Sequence, residues 1–205
     1  NFPLLIASER IPFALAAGCS VVVKPSEFTS GTTLRLGRYL KEAGLPDGAC
    51  NILSGTGAEV GQTLLDHPKV RMISFTGSTR VGEIVMHAAA ASKKKLSLEL
   101  GGKSPSVVFA DCDIEAAVDG VLKGSNFNAG QCCIAGSRLI VEDSIADAFR
   151  ARLAQRAKSI RAGCPFDPAT TIGAIVNEAQ FDKIDRFVTS AKAAGAAPLT
   201  GGQGS

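Results

Sequence analysis

The chain has 205 residues, 45% of them hydrophobic and 20% charged, with a formal net charge of +3. That is room for one large domain or two small ones around a sizeable core. So slight a positive excess, with Lys93-Lys94-Lys95 as the one basic cluster, leaves no electrostatic footprint for nucleic acid or an anionic membrane surface.

No apolar stretch reaches the ~18 residues of a membrane span. Asn1-Phe2-Pro3-Leu4-Leu5-Ile6 has no basic lead-in and no small-residue cleavage pattern, so it does not read as a signal peptide. The six cysteines are scattered without C-x-x-C spacing, which argues against a zinc site and against a disulfide framework. A reducing, cytoplasmic setting is expected.

In chain order, short β-branched runs alternate with longer helical stretches, the pattern of an α/β fold with a mostly parallel sheet. Ser20–Pro25 predicts a buried strand stopped by proline. Thr33–Ala43 predicts a helix closed by Gly44 and the Pro46-Asp47-Gly48 turn. Asn51–Leu53 is the next strand and leads into Gly55-Thr56-Gly57. Val70–Phe75 and Leu96–Leu100 are expected strands around a helix at Thr79–Ala91. A new unit is expected near Gly101–Ser104, with a strand at Ser104–Phe109. Its helix carries Ile114, Ala117, Val118, Val121 and Leu122 at the spacing of one buried face. Arg138–Val141 is a further strand, and Ser144 with Asp147 predicts the opening of a helix striped by Phe149, Leu153, Ala157 and Ile160. Phe181, Ile184, Val188 and Ala191 mark the last helix.

Several positions have the residue types of a reactive site. In Leu96-Ser97-Leu98-Glu99-Leu100 the leucines alternate, which puts Ser97 and Glu99 on the other face. Glu99 also falls at a strand's carboxyl end, where open α/β sheets form their ligand crevices, although a glutamate simply facing water fits as well. Cys132 and Cys133 lie among small and amide residues from Asn126 to Arg138. A thiol there is exposed enough to react beside backbone N–H groups that can hold an oxyanion, or the pair are ordinary small buried residues. Phe75-Thr76-Gly77-Ser78-Thr79 joins a strand to a helix start, suited to phosphate or serving as a plain cap. It is not a P-loop, because Glu83 stands where lysine is needed. Lys24-Pro25-Ser26-Glu27 sets a cation beside an anion at a strand end, able to bracket ribose hydroxyls or to form a surface ion pair. His67 and His87 lack a catalytic-looking context.

Together and in this order, Asn1-Phe2-Pro3, Lys24-Pro25-Ser26-Glu27, Phe75-Thr76-Gly77-Ser78-Thr79, Leu98-Glu99-Leu100-Gly101-Gly102-Lys103 and Gly130-Gln131-Cys132-Cys133 closely resemble the aldehyde dehydrogenase superfamily. The resemblance implies a Rossmann-like, parallel-sheet cofactor domain over residues 1–102 and part of an α/β catalytic domain over residues 103–205. It implies Cys133 as nucleophile, Glu99 as general base and the Asn1 amide as oxyanion donor. Lys24 and Glu27 match residues on the adenosine ribose, Gly57 an adenine-side position, Gly77 and Ser78 the pyrophosphate turn, and Gln180 and Lys183, more loosely, a nicotinamide-side pair. No metal is implied.

The implied reaction is oxidation of a small aldehyde to a carboxylic acid through a cysteine thioester. NAD is the implied cofactor, since Glu27 repels a 2′-phosphate; Arg80 and Lys24 keep NADP open. The family's chains are longer, and its oligomerisation arm and a Glu-x-Phe-Gly-Pro segment have no counterpart here. These 205 residues are therefore expected to turn over little alone, and the longer protein to be a homo-oligomer. Other readings are a coenzyme A-acylating dehydrogenase, which would have no use for Glu99, a non-catalytic binding relative, and a cysteine hydrolase using His67 or His87.

Overall fold

The computed structural model describes residues 1–203. Contacts divide it into two compact units that part between Gly101 and Gly102. Helices alternate with short strands, and the three strand pairs found are all parallel, as the α/β pattern requires.

The first unit opens with helix α1 (Pro3–Ala16), which the hydrophobic pattern did not announce. Pro3 sits in its first turn, where a missing N–H costs nothing. Pro12 lies inside it and has no N–H to return to the preceding turn. Ala7 and Ile11 are its buried residues. Strand β1 (Val21–Val23) pairs with β2 (Cys50–Ile52), Val21 opposite Cys50 and Val23 opposite Ile52. Between them α2 (Ser30–Glu42) begins three residues earlier than its apolar spacing predicts. It closes at Gly44, whose φ of +88° lets the Leu45 N–H reach back to the Leu40 carbonyl at 3.0 Å.

After β2 the chain makes a wide π-type turn over Gly57–Gly61 and runs directly into the short helix α3 (Gln62–Asp66). Neither was expected, because five-residue pieces carry too little periodicity to read. Strand β3 (Met72–Thr76) pairs with β4 (Lys95–Glu99) in unbroken register, from Met72 opposite Lys95 to Thr76 opposite Glu99. Helix α4 (Thr79–Ser92) connects them, with Ser78 as its cap and Val85 and Ala89 buried. Its other buried residue, Gly82, lies under Leu100: a Cβ there would come within 2.7 Å of the leucine's methyl carbon. The three lysines before β4 are not equivalent. Lys93 ends α4 in the left-handed region (φ 56°), and Lys94 folds over α3, its ammonium donating to the carbonyls of Leu65 and His67.

The second unit builds its core around strand β5 (Pro105–Val108), parallel to β6 (Arg138–Val141), and helices α5 (Ile114–Asn126) and α6 (Ala146–Ala157). Val108, Val118, Val121 and Phe149 are buried together, with Ile114, Ala117, Leu122 and Leu153 packed against them. The spacing read on α5 is thus its core face. Asp113 caps α5 through the Ala116 N–H at 3.0 Å, with Glu115 in the first turn and Lys123 in the last, both favourable to the helix dipole. Glu115 pairs with Arg152 (3.0 Å) and Arg156 (2.9 Å) of α6, and Asp119 with Arg156 (2.9 Å). These pairs are exposed and orient the helices more than they stabilise them.

The expected capping of α6 by Ser144 is not observed. A 3₁₀ turn over Asp143–Ile145 precedes the helix, and the Ser144 hydroxyl donates instead to the Glu142 carboxylate at 3.1 Å. Ile160 lies beyond the helix end. The last helix, α7 (Glu178–Ala193), is capped by Asn177, whose Oδ1 accepts from the Gln180 N–H at 2.9 Å. Among the described residues no helix is long and apolar enough to cross a membrane.

Candidate active site

In the first unit the expected site residues other than Asn1 lie at or just beyond the carboxyl ends of the paired strands. Lys24 follows β1 directly. Its ammonium donates to the Pro25 carbonyl (2.6 Å) and across to the Gly55 carbonyl (3.1 Å) in the loop after β2. The same ammonium stands 3.7 Å from the Glu27 carboxylate, whose side chain is 50% exposed. Lys24 is therefore a brace between two loops, and Glu27 is the group it presents. Gly57 begins the π-type turn, capped by Thr56, whose hydroxyl oxygen accepts from the Glu59 N–H at 3.2 Å. The space where a side chain would stand on Gly57 is open.

The second pair brings two more expected residues together. Glu99 ends β4 opposite Thr76, and its carbonyl accepts from the Gly77 N–H at 3.1 Å. The strand–helix turn is thereby tied to the strand end that carries the carboxylate. Ser78 caps α4 through the Val81 N–H at 3.4 Å, which leaves the first amides of a fourteen-residue helix pointing out of its end. The Glu99 side chain is 59% exposed. The strict alternation read from Leu96 to Leu100 is softer than expected, for Leu96, Ser97 and Leu98 are all partly buried. Strand β4 is partly covered on both faces from Leu96 to Leu98, and Glu99 is exposed.

Sequence reading missed Arg10. Its guanidinium lies 3.8 Å from the Glu99 carboxylate, and its Nε is buried without a hydrogen-bond partner. No local pattern links residues 89 positions apart, and the helix that carries Arg10 was itself unread. Asn1 stands just before α1, in the same unit.

The second unit holds Cys133, Gln180 and Lys183. Helix α5 ends at Asn126 and the chain then turns through three consecutive left-handed residues: Asn128 (φ 54°), Ala129 (φ 56°) and Gly130 (φ 74°). For residues with a side chain that conformation costs about 1–2 kcal/mol each. Hydrogen bonds close the turn. The Gln131 N–H and its side-chain Nε2 both donate to the Asn128 carbonyl at 3.1 Å, and the Asn128 Nδ2 donates to the Gln131 carbonyl at 3.2 Å. Beyond it Cys132 is partly buried and Cys133 is exposed. The Cys133 backbone passes close to Gly102, where an added Cβ would lie 2.7 Å from the Cys133 carbonyl oxygen. Gln180 and Lys183 are one turn apart at the start of α7.

The remaining cysteines, Cys19, Cys50, Cys112 and Cys164, are free thiols, and burial pushes the Cys50 thiol above its usual range. His67 and His87 are exposed in the first unit, the former accepting on Nδ1 from the Lys69 N–H at 3.2 Å. Among the described residues no group of three or more His, Cys, Asp or Glu is arranged to hold a metal ion.

Residues 1–205 match the family described as "Aldehyde dehydrogenase family". The peroxisomal aminoaldehyde dehydrogenase 2 of Pisum sativum is 46% identical over 202 residues, which are 98% of this chain and 40% of that protein. The crystal structure of an NAD-dependent aldehyde dehydrogenase from Sinorhizobium meliloti superposes with a TM-score of 0.96 at 49% identity, covering 98% of this chain and 40% of that one. The betaine aldehyde dehydrogenase from Staphylococcus aureus in complex with NAD+ gives 0.96 at 44% identity, with 99% and 40% covered. This chain thus spans about two fifths of the length of such relatives.

Proposed function

The chain belongs to the aldehyde dehydrogenase family, and from that premise we propose that the whole protein oxidises a small aldehyde to its carboxylic acid, with NAD as oxidant and Cys133 as nucleophile. The observation that carries this reading is the exposed Cys133 thiol, set just beyond a turn closed by hydrogen bonds rather than packed into the core.

The cofactor assignment is supported by the chemistry of the first unit. Glu27, steadied by Lys24, suits the hydroxyls of a ribose and would repel a 2′-phosphate. The open amides at the start of α4, beside Gly77 and Ser78, suit a pyrophosphate. The open space over Gly57 suits the adenine side. Gln180 and Lys183 are assigned to the nicotinamide side. The NAD-dependent relative from Sinorhizobium meliloti and the NAD+ complex of the Staphylococcus aureus enzyme favour it in the same way. Bound there, NAD supplies the acceptor for the hydride that the aldehyde carbon must lose.

The chain's own residues do the rest. The Cys133 thiolate adds to the carbonyl carbon, and the oxyanion that forms is held by the Asn1 side-chain amide and the Cys133 backbone N–H. As the oxyanion re-forms its carbonyl, the former aldehyde carbon gives up its hydrogen as hydride, which would pass to NAD, and a thioester is left on Cys133. Glu99 takes a proton from water, the resulting hydroxide attacks the thioester carbon, and the acid departs with return of the thiolate. Arg10 steadies the Glu99 carboxylate between turnovers. A coenzyme A-acylating enzyme would not need that base, so an exposed carboxylate at residue 99 favours hydrolysis. The same reading takes the protein as a cytoplasmic homo-oligomer without nucleic-acid or membrane partners.

The test is NADH formation by the full-length protein across a panel of aliphatic, aromatic, amino and betaine-type aldehydes, with and without coenzyme A. Cys133→Ala is expected to lose on the order of 10⁴-fold or more in kcat. Equal activity in the variant would remove Cys133 from the mechanism, and silence of the native protein with both NAD and NADP would leave a binding relative.

A further inference from the structure

Gln131 enters the family resemblance only as a marker beside the cysteines. Its side chain uses both ends of its amide. The Nε2 donates to the Asn128 carbonyl at 3.1 Å, inside the left-handed turn, while the Oε1 accepts from the Val176 N–H at 3.0 Å, 45 residues further along. A backbone N–H can only donate and a carbonyl can only accept, so these two partners fix which way round the amide lies. Val176 immediately precedes Asn177, the cap of α7, and α7 carries Gln180 and Lys183. One side chain therefore links the turn that leads to Cys133 with the base of the helix assigned to the nicotinamide side, all within the second unit.

The turn needs such a fastening. Asn128 and Ala129 hold a backbone conformation that disfavours residues with a Cβ, and hydrogen bonds between residues 128 and 131 close the turn. The Val176 bond anchors it to a segment 45 residues further along the chain. Cys133 follows two residues later, with its carbonyl lodged against Gly102. A shift of the turn would move the Cys133 thiol and the amide that precedes it together.

We propose that Gln131 is a positioning residue for Cys133: by clamping the left-handed turn to the backbone at Val176 it fixes where the thiol stands relative to the start of α7. The proposal rests on the reading of Cys133 as nucleophile, and it concerns the reactivity of one thiol, which is measurable without turnover.

The experiment compares native full-length protein with Gln131→Ala, which removes both bonds, and Gln131→Glu, which keeps an acceptor for Val176 and sets an oxygen against the Asn128 carbonyl. Alkylation of Cys133 by iodoacetamide is followed by mass spectrometry across pH, beside kcat and the KM for NAD. Both variants are expected to slow Cys133 alkylation and to lower kcat by about tenfold or more, with the KM for NAD within about twofold. Alkylation of Cys19 and Cys164 should be unchanged, which a general loosening of the fold would not give. Alkylation and kcat within twofold of native in both variants would overturn the proposal. Should Gln131→Ala fail to fold, amide exchange in the native protein decides: Val176 must be protected well beyond an open loop residue, and free exchange there means that the clamp does not exist. If Cys133→Ala retains NADH formation, the functional reading falls, while the alkylation rates still judge the role of Gln131.

Discussion

Glu99 closes a strand whose five residues pair in unbroken parallel register, and its carboxylate forms an ion pair with Arg10. Cys133 comes after three left-handed residues whose turn is closed by the Gln131 side-chain amide, and its carbonyl lies where Gly102 leaves no room for a Cβ. The two assigned reactive groups are thus mounted in different ways, one on regular backbone and one on strained backbone fastened from outside. A carboxylate that activates water reaches it through a flexible side chain and tolerates some latitude. A nucleophile that must meet a carbonyl carbon along one line, with its own N–H serving the oxyanion, tolerates little. The costlier backbone stands where the geometric demand is tighter.

That contrast can be broken or sharpened by substitution. Glu99→Gln keeps size and strand register but removes the base, so steady-state turnover is expected to fall by about 10²–10⁴-fold. A rapid burst of NADH before the slow steady state would place the loss at thioester hydrolysis. No burst would move Glu99 to an earlier step and dissolve the division of labour described above. Gly102→Ala makes no change to any reacting group, yet its new methyl would crowd the Cys133 carbonyl. A kcat lower by about 10- to 100-fold is expected, with stability reduced by about 1–3 kcal/mol in a denaturant titration. Full activity would show that the Cys133 backbone can yield, contrary to the tight mounting. The smallest effect concerns a thiol outside the site. Burial raises the Cys50 pKa, so less thiolate is present at neutral pH, and Cys50 should alkylate more slowly than exposed Cys19, the gap narrowing as pH rises.

Much of the fold was legible because each strand and long helix carries its own period. The α5 stripe of Ile114, Ala117, Val118, Val121 and Leu122 is the clearest case, since all five residues recur in or against the buried cluster with Phe149. Helix α1 was not legible, because Pro3 and Pro12 interrupt an apolar run with little amphipathic contrast and its burial is decided by tertiary packing. Positions of candidate site residues could be read where chemistry is local, as for Lys24 and Glu27, which meet three residues apart. Arg10 with Glu99 and Gln131 with Val176 could not, because each pairing spans dozens of residues and neither leaves a spacing to detect. The left-handed turn was hidden for another reason: Asn-Ala-Gly permits it but does not demand it, and the hydrogen bonds around it make the choice.

Gly82 lies one turn into α4, beneath the Leu100 side chain. Helix α4 can rest that close to the end of β4 only because nothing projects from residue 82. The depth at which its opening amides sit beside Glu99 is therefore set by a hydrocarbon contact that no ligand touches. A methyl group added there would act as a wedge, tilting the helix and lifting its amino end away from the strand edge. The reach of an anion-binding end is in this way a dimension of the apolar packing behind it, and a substitution in that packing would be felt as weaker affinity at a distance.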